Sequence, residues 1–387
     1  KLCSKIRIHF LCRKVLNAEA GQLVYLSIND LVPGMCVARD INFYDMSVKT
    51  AMCIRHSQKL TDVTITKMKD AGVEGAFIDD VHSEIRVISS VNSEIKHDAI
   101  NNLHNLSENF IDSSKGISQS DIDDIGGTTE KLIDALADKN DILVNIADIK
   151  MYDDYTFHHS LSVAILSIAV GLELGMDKRQ LYELGLAGLL HDIGKVSIPI
   201  EILNKKGRLT DEEFSIVKMH PVHAANHLRE RHLVPDDCYL GIIAHHERWD
   251  GNGYPFKLKG ERIPYFARIL AVADVYDALT STRPYRNPSP PNEVIEYIMG
   301  GVCTHFDEEI VRAFLRKVAP YPVGSRVKLS TGGTATVLKN NPDQPLRPLI
   351  RTDGSTASLD LTNDMKTFNI VITGLVDPNN PNPDIAS

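Results

Sequence analysis

Nine of the fifteen histidines of this chain fall between His158 and His246. They lie in a stretch whose apolar residues recur at three-and-four spacing, as in Leu161, Ile165 and Ile168 and again in Leu181, Leu184 and Leu189, which predicts helix after helix. Histidines and carboxylates that project inward from facing helices are how a helical bundle builds a di-metal site. The stretch must therefore pack a core and bury a polar cluster inside it. Residues 151–320 are expected to form an all-α domain long enough to do both.

Three segments carry the chemistry. Leu190-His191-Asp192-Ile193-Gly194-Lys195 closes an apolar helix. Neighbours on a helix point about 100° apart, so His191 and Asp192 can serve one site if the carboxylate bridges two cations while the imidazole binds one. Gly194 is expected to stop the helix, and Lys195 then sets a cation beside the same spot. In the second segment the pair His245-His246 follows Ile242-Ile243-Ala244 and precedes Glu247 and the run Asp250-Gly251-Asn252-Gly253-Tyr254-Pro255, a tight loop with backbone freedom. The third, Ala271 to Leu279, sets Asp274 and Asp277 three apart on one face of an apolar helix. A buried carboxylate needs a partner, and a metal is one.

Single histidines weigh less. A lone histidine on an apolar helix is more often a satisfied core residue than a ligand, so His220 in Met219-His220-Pro221 and the pair His158-His159 count only in combination with the three segments. Spacing does not choose between His158 and His159. His223, His227, His232, His305 and the N-terminal histidines have no second supporting feature and are assigned to surface or core.

The remainder frames this domain. At 387 residues the chain has room for two or three domains. Residues 1–91 read as a small α+β accessory or regulatory domain, with strand-like runs at Leu23–Ile28 and Ala76–Ile78 around a helix from Thr61 to Ala71. Residues 92–150 read as a connecting helical segment with a turn-rich interruption at Ile117–Thr129. Residues 321–376 read as a small β-rich unit of four alternating runs, Arg326–Leu329, Ala335–Leu338, Pro348–Thr352 and Phe368–Thr373, split by turn residues. The Pro/Asn-rich residues 377–387 are expected to be a disordered tail. The fold class expected is multidomain, a central all-α bundle between two small units. A net charge of −9 argues against binding large nucleic acids, although a small anion needs only a local basic pocket. Six scattered cysteines without a CxxC pair point to reduced thiols and a cytoplasmic setting. No apolar run reaches the roughly 20 residues of a membrane span.

Taken in order, these segments resemble the HD-GYP family, a subgroup of the HD metal-dependent phosphohydrolases. The resemblance is carried by Asp154 to Ser160 (DYTFHHS), His191 to Lys195 (HDIGK), Met219-His220-Pro221, His245-His246-Glu247, Asp250 to Pro255 (DGNGYP), Asp274 to Asp277 (DVYD) and Thr280 to Arg286 (TSTRPYR), over about 135 residues. It implies an HD-type helical bundle and seven metal ligands: His159, His191, Asp192, His220, His245, His246 and Asp274, with Asp192 as the bridge. His159 is chosen over His158 because the family's ligand directly precedes the serine. Some members hold a third metal with a glutamate where this chain has Tyr155, so two divalent ions, iron or manganese, are expected. Lys195 joins Asp192 in the catalytic role; Arg283 and Arg286 are the implied phosphate-binding cations, and Gly253, Tyr254 and Pro255 shape the substrate entrance.

The implied reaction is opening of cyclic di-GMP to pGpG, with GMP as a further product, in bacterial second-messenger signalling. One alternative is a 3′,3′-cyclic GMP-AMP phosphodiesterase; another is a catalytically silent cyclic-dinucleotide receptor. A triphosphohydrolase of the wider HD group is disfavoured by the intact Gly-Tyr-Pro loop. A second copy of the chain or a regulatory protein is the candidate macromolecular partner.

Overall fold

The computed structural model describes residues 24–28, 31–38, 40–45, 50–71, 73, 75–78, 91–111, 116–137, 155–205, 207–281, 289–321, 323–355, 357–362 and 365–376. They divide into two compact units, one of residues 90–150 and 154–320, the other of 1–89, 151–153 and 321–387.

In the second of these units, β1 (Val24–Ser27) pairs antiparallel with β4 (Gly75–Ile78), and β2 (Ile41–Asp45) with β3 (Thr50–Ile54). Helix α1 (Asp62–Asp70) starts where Thr61 and Thr64 cap one another reciprocally, which satisfies two of the helix's otherwise unpaired N–H groups. Val37, Phe43, Leu60, Met68 and Val73 form the core there. At the C-terminal end, β5 (Arg326–Leu329), β6 (Thr334–Lys339), β7 (Leu349–Thr352), β8 (Ser358–Asp360) and β9 (Ile372–Leu375) make one antiparallel sheet in the order β8-β7-β6-β5-β9. Val327, Ala335, Val337, Ile350 and Ile372 are buried in it. The last strand starts at Ile372 rather than Phe368, which is exposed. Strand β8 is short and carries no apolar alternation, so its sequence offered no signal.

The helical unit is built around α4 (Tyr155–Glu173). Every residue from 157 to 171 is buried, the condition of a helix apolar on all sides. Helices α2 (Ser93–Ile111), α3 (Gln119–Ala137), α5 (Lys178–Leu190), α10 (Tyr265–Thr280) and α12 (Glu308–Lys317) all pack against it. The segment expected to be a connection thus supplies two of the helices that cover α4. Its expected interruption at Ile117–Thr129 lies mostly within α3. There Gly126 faces the Tyr182 hydroxyl, which a Cβ would meet at 2.4 Å, and Ile122, Ile125, Leu132, Ile133 and Leu136 bury one face. Packing overrides the helix-weakening glycines.

Helices α4 and α5 form a tight antiparallel hairpin, with Asp177 capping α5 through the Gln180 N–H at 2.8 Å. The two backbones come close at Gly188, where an added Cβ would lie 2.7 Å from Ala164 Cα, a backbone atom that cannot swing away. This approach brings the start of α4 and the end of α5 to one place, with the His159 and His191 rings 5.2 Å apart. Four further helices, α6 (Ile200–Leu203), α7 (Asp211–Val217), α8 (His220–Glu230) and α9 (Asp236–Ala244), lie between α5 and α10, and α11 (Pro291–Gly300) lies between α10 and α12. Among the described residues no helix is long and apolar enough to cross a membrane.

Gly188→Ala is expected to cost about 1–3 kcal/mol by overpacking the α4–α5 contact. Thermal unfolding followed by circular dichroism should show a midpoint lowered by several degrees; an unchanged midpoint would refute the close approach as a constraint.

Candidate metal centre

Five chain segments converge. His159 comes from the first turns of α4, His191 and Asp192 from the turn that follows α5, and His220 from the first residue of α8. The pair His245-His246 follows directly after α9, and Asp274 lies within α10. Asp192 sits at the middle: its Oδ2 is 3.4 Å from His159 Nε2 and 3.5 Å from His191 Nε2, and its Oδ1 is 3.1 Å from His220 Nε2. Asp274 Oδ1 lies 3.1 Å from His159 Nε2 and its Oδ2 3.7 Å from His246 Nδ1. Two overlapping groups result, His159 with His191 and Asp192, and Asp192 with His220, His245 and His246. Asp192 belongs to both.

Helix ends explain how the rings are aimed. The last four carbonyls of a helix lack N–H partners within it. His191 donates from Nδ1 to Gly188 O at 2.8 Å, His220 to Val217 O at 2.8 Å and His245 to Ile242 O at 2.7 Å. Those acceptors belong to the last turns of α5, α7 and α9. A carbonyl can only accept, so the proton is on Nδ1 and each Nε2 turns its lone pair inward. The His191 Nε2 is buried without a hydrogen-bond partner, an arrangement that is costly unless a cation completes it. Imidazole nitrogens with shared carboxylates suit divalent transition metals, so the residues fit such ions.

The charges agree. Burial pushes the imidazoles of His191 and His245 below their ordinary range, and His246, partly open to a cleft, is lowered by the same cause; all three are neutral near pH 7, as metal ligands must be. Burial alone would raise Asp192, but the adjacent Lys195 ammonium and the His191 and His220 rings hold it well below the usual carboxylate range. His159 differs. Burial lowers it, yet the carboxylates of Asp274 and Asp277 more than offset this and raise it to about 9.

Two residues outside the expected ligand set hold the cluster in place. Asp277 Oδ2 lies 2.7 Å from His159 Nδ1 and Asp277 Oδ1 accepts from Ser281 Oγ at 3.2 Å, so the second acid of the helix serves the imidazole rather than the centre. Its three-residue offset from Asp274 was the legible signal. The buried Glu247 carboxylate accepts the N–H groups of Phe256 at 2.6 Å and Leu258 at 3.0 Å and so braces the Asp250–Pro255 loop. That loop folds back tightly: at Gly253 a Cβ would lie 2.4 Å from Glu247 Cα and Arg248 N. Tyr254, joined to Pro255 by a cis peptide bond, sets its ring 4.7 Å from that of His246.

Above the cluster opens a cleft of about 600 Å³ whose wall includes Lys195, Phe214, Lys218, Tyr254, Lys257 and His305. His305, assigned from sequence to surface or core, is therefore a cleft residue; burial and the Arg248 guanidinium keep it neutral by pushing it down to about 4. His223 and His232 are exposed, and His227 packs on Phe110, away from the cluster. Gly194 is a second correction. Helix α5 ends at Leu190, and Gly194 lies in a short 3-10 turn where a Cβ would sit 2.1 Å from His220 O; the glycine lets the first turn of α8 approach and so places His220. Arg283, Arg286 and the Tyr155 side chain lie outside the described residues.

Residues 130–310 match the HD domain family. The chain is 43% identical over 213 residues to a cyclic di-GMP phosphodiesterase of Pseudomonas aeruginosa, covering 54% of this chain and 50% of that protein. It is 47% identical over 133 residues to a cyclic di-GMP phosphodiesterase of Vibrio cholerae, covering 33% and 27%, and 37% identical over 183 residues to a 3′3′-cGAMP-specific phosphodiesterase of the same organism, covering 46% and 41%. The chain spans half or less of the length of each of these relatives.

Because Asp277 fixes the His159 ring, Asp277→Ala should weaken the binding of Mn²⁺ by about 10–100-fold with far-UV circular dichroism preserved. Equilibrium dialysis measures this, and an affinity equal to that of the unaltered protein would remove Asp277 from the support of the cluster.

Proposed function

We propose that the HD domain formed by residues 130–310 is the catalytic part of a metal-dependent phosphodiesterase that opens cyclic di-GMP to pGpG. The observation that carries this reading is Asp192, buried and common to the two groups of imidazoles, with the Lys195 ammonium against its Oδ2 and its neighbours His220, His245 and His246 lining the cleft. A single carboxylate common to two clusters is what a pair of cations needs as a bridge. His159, His191, Asp192, His220, His245, His246 and Asp274 would hold two ions. Tyr155 argues against a third, and the mixed nitrogen and oxygen donors favour iron or manganese.

Bound divalent cations supply water activation at neutral pH and charge neutralisation at a phosphoryl group. The chain's own residues do the rest. Asp192 and Asp274 stay ionised because the surrounding cationic and imidazole groups hold them there. Lys195 would meet a non-bridging phosphate oxygen as negative charge grows on it. The Tyr254 hydroxyl is pushed up by burial, so it remains a phenol and acts as a hydrogen-bond donor, not as a base. In the hydrolysis, the water oxygen ends on phosphorus, one P–O bond of the ring breaks, and the departing sugar oxygen takes up a proton. Arg283 and Arg286 are carried as phosphate-binding cations from the resemblance. Residues 1–91 are read as an accessory domain, and Cys36, Cys238 and Cys303, none of them in a disulfide, fit a reducing, cytoplasmic setting.

A second reading, 3′,3′-cyclic GMP-AMP as substrate, is favoured by the likeness to the Vibrio cholerae enzyme named for it. Turnover of the two cyclic dinucleotides by protein loaded anaerobically with Fe²⁺ or Mn²⁺ decides between them. Cyclic di-GMP is expected to be the faster substrate, and Asp192→Ala should reduce turnover by on the order of a thousandfold or more. Cleavage of neither compound with any metal, or an Asp192→Ala variant of undiminished rate, overturns the proposal.

A further inference from the structure

The cations of the cleft wall are not equivalent. Lys195 is engaged by Asp192, and the fork of Arg248 is taken by Asp250 at 2.8 and 3.2 Å. Lys218 and Lys257 form no ion pair with the described residues, although both line the cleft. Lys218 directly follows α7, and its Nζ lies 4.8 Å from the centroid of the Phe214 ring. Phe214 also lines the cleft, edge-on to Tyr254 with centroids 6.5 Å apart, and remains 45% exposed.

Helix α7 is held firmly for so short an element. The Thr210 hydroxyl accepts from Glu213 N at 3.2 Å, and Glu213 Oε2 accepts from Thr210 N at 2.7 Å and from Lys205 Nζ at 2.6 Å. The Lys218 N–H donates to Phe214 O at 3.0 Å, tying cation and ring to one turn. An exposed phenyl ring on a braced helix, with an unpaired ammonium beside it, presents stacking area and charge at little further cost in conformational entropy. Those are the two things a nucleotide offers a partner for: a π face and a phosphate.

We propose that Phe214 and Lys218 form the subsite for the half of the cyclic dinucleotide that is not being cleaved. Its base lies against Phe214, and its phosphodiester is met by Lys218, with Lys257 as a second cation. This rests on the reading of the Asp192 cluster as a cyclic dinucleotide phosphodiesterase and assigns the other end of the same cleft. The floor acts on one phosphodiester; the α7 wall holds the other nucleotide so that this phosphodiester is presented. Bis(p-nitrophenyl) phosphate has one phosphodiester and no second nucleotide, so with that group on the floor it leaves Lys218 nothing to meet.

The full chain carrying Phe214→Ala or Lys218→Met is compared with the unaltered protein on cyclic di-GMP and on bis(p-nitrophenyl) phosphate. Direct binding of cyclic di-GMP is measured alongside by calorimetry. The ratio of kcat/KM for cyclic di-GMP to that for the small diester is expected to fall about tenfold, mainly through KM. Dissociation constants should rise by a similar factor, and Lys218→Arg should recover most of the loss. Ile216→Ala, an equally exposed change on the same helix outside the cleft, serves as the comparison. A ratio and an affinity that stay constant in both Phe214→Ala and Lys218→Met overturn the subsite, as does a fall of equal size in Ile216→Ala. An unaltered protein that binds cyclic di-GMP without cleaving it overturns the catalytic reading alone, and the calorimetric comparison still decides the subsite.

Discussion

The unpaired carbonyls at three helix ends determine the character of the site. A helix leaves its last carbonyls without partners, and at α5, α7 and α9 a histidine near the end supplies the missing donor through Nδ1. One hydrogen bond thereby does two things: it satisfies a helix terminus and selects the tautomer whose Nε2 faces inward. Ring orientation is set by backbone, not by side chains that could relax. The price of burying so many polar atoms is met by α4, whose residues 157–171 are all buried and whose apolar surface holds the surrounding helices in register.

Around this backbone-fixed layer lies a set of carboxylates with divided duties. Asp192 and Asp274 face the centre. Asp277 turns away to hold His159, and Glu247 turns outward to hold the loop that carries Tyr254. All four are buried, and an isolated buried carboxylate would be expensive, so each is engaged by imidazole, ammonium or backbone N–H. Removing a single partner leaves an uncompensated charge, which is why the arrangement is expected to respond as a unit.

Much of this was legible in the sequence. The histidine concentration, the adjacent acid at Asp192 and the three-residue spacing of Asp274 and Asp277 each reflect a local rule, periodicity or burial cost, that a linear pattern preserves. What was not legible depended on atoms brought together from far along the chain. Gly194 reads as a helix stop because that is the commonest use of glycine there; its actual neighbour, the His220 carbonyl, is 26 residues on. His305 looks like any isolated histidine until residues 304 and 305 accept the N–H groups of Asp250 and Trp249 and bring it to the cleft. Gly126 and Gly127 read as a break in α3 because intrinsic propensity is local, whereas the buried face that overrides it is tertiary.

The floor and the walls of the cleft are built on different principles. On the floor the imidazole rings are fixed by helix-end carbonyls, so a change of residue there disturbs both a ring and a helix terminus. The walls are carried by α7, seven residues long, and by the braced loop after His246, whose outward side chains hold up little of the core: Phe214 and Lys257 are both exposed. Residues of that kind can change in size or charge at small cost to stability. The walls are therefore the part of the cleft that the fold leaves freest to vary, while the floor is bound to the helix ends that build it.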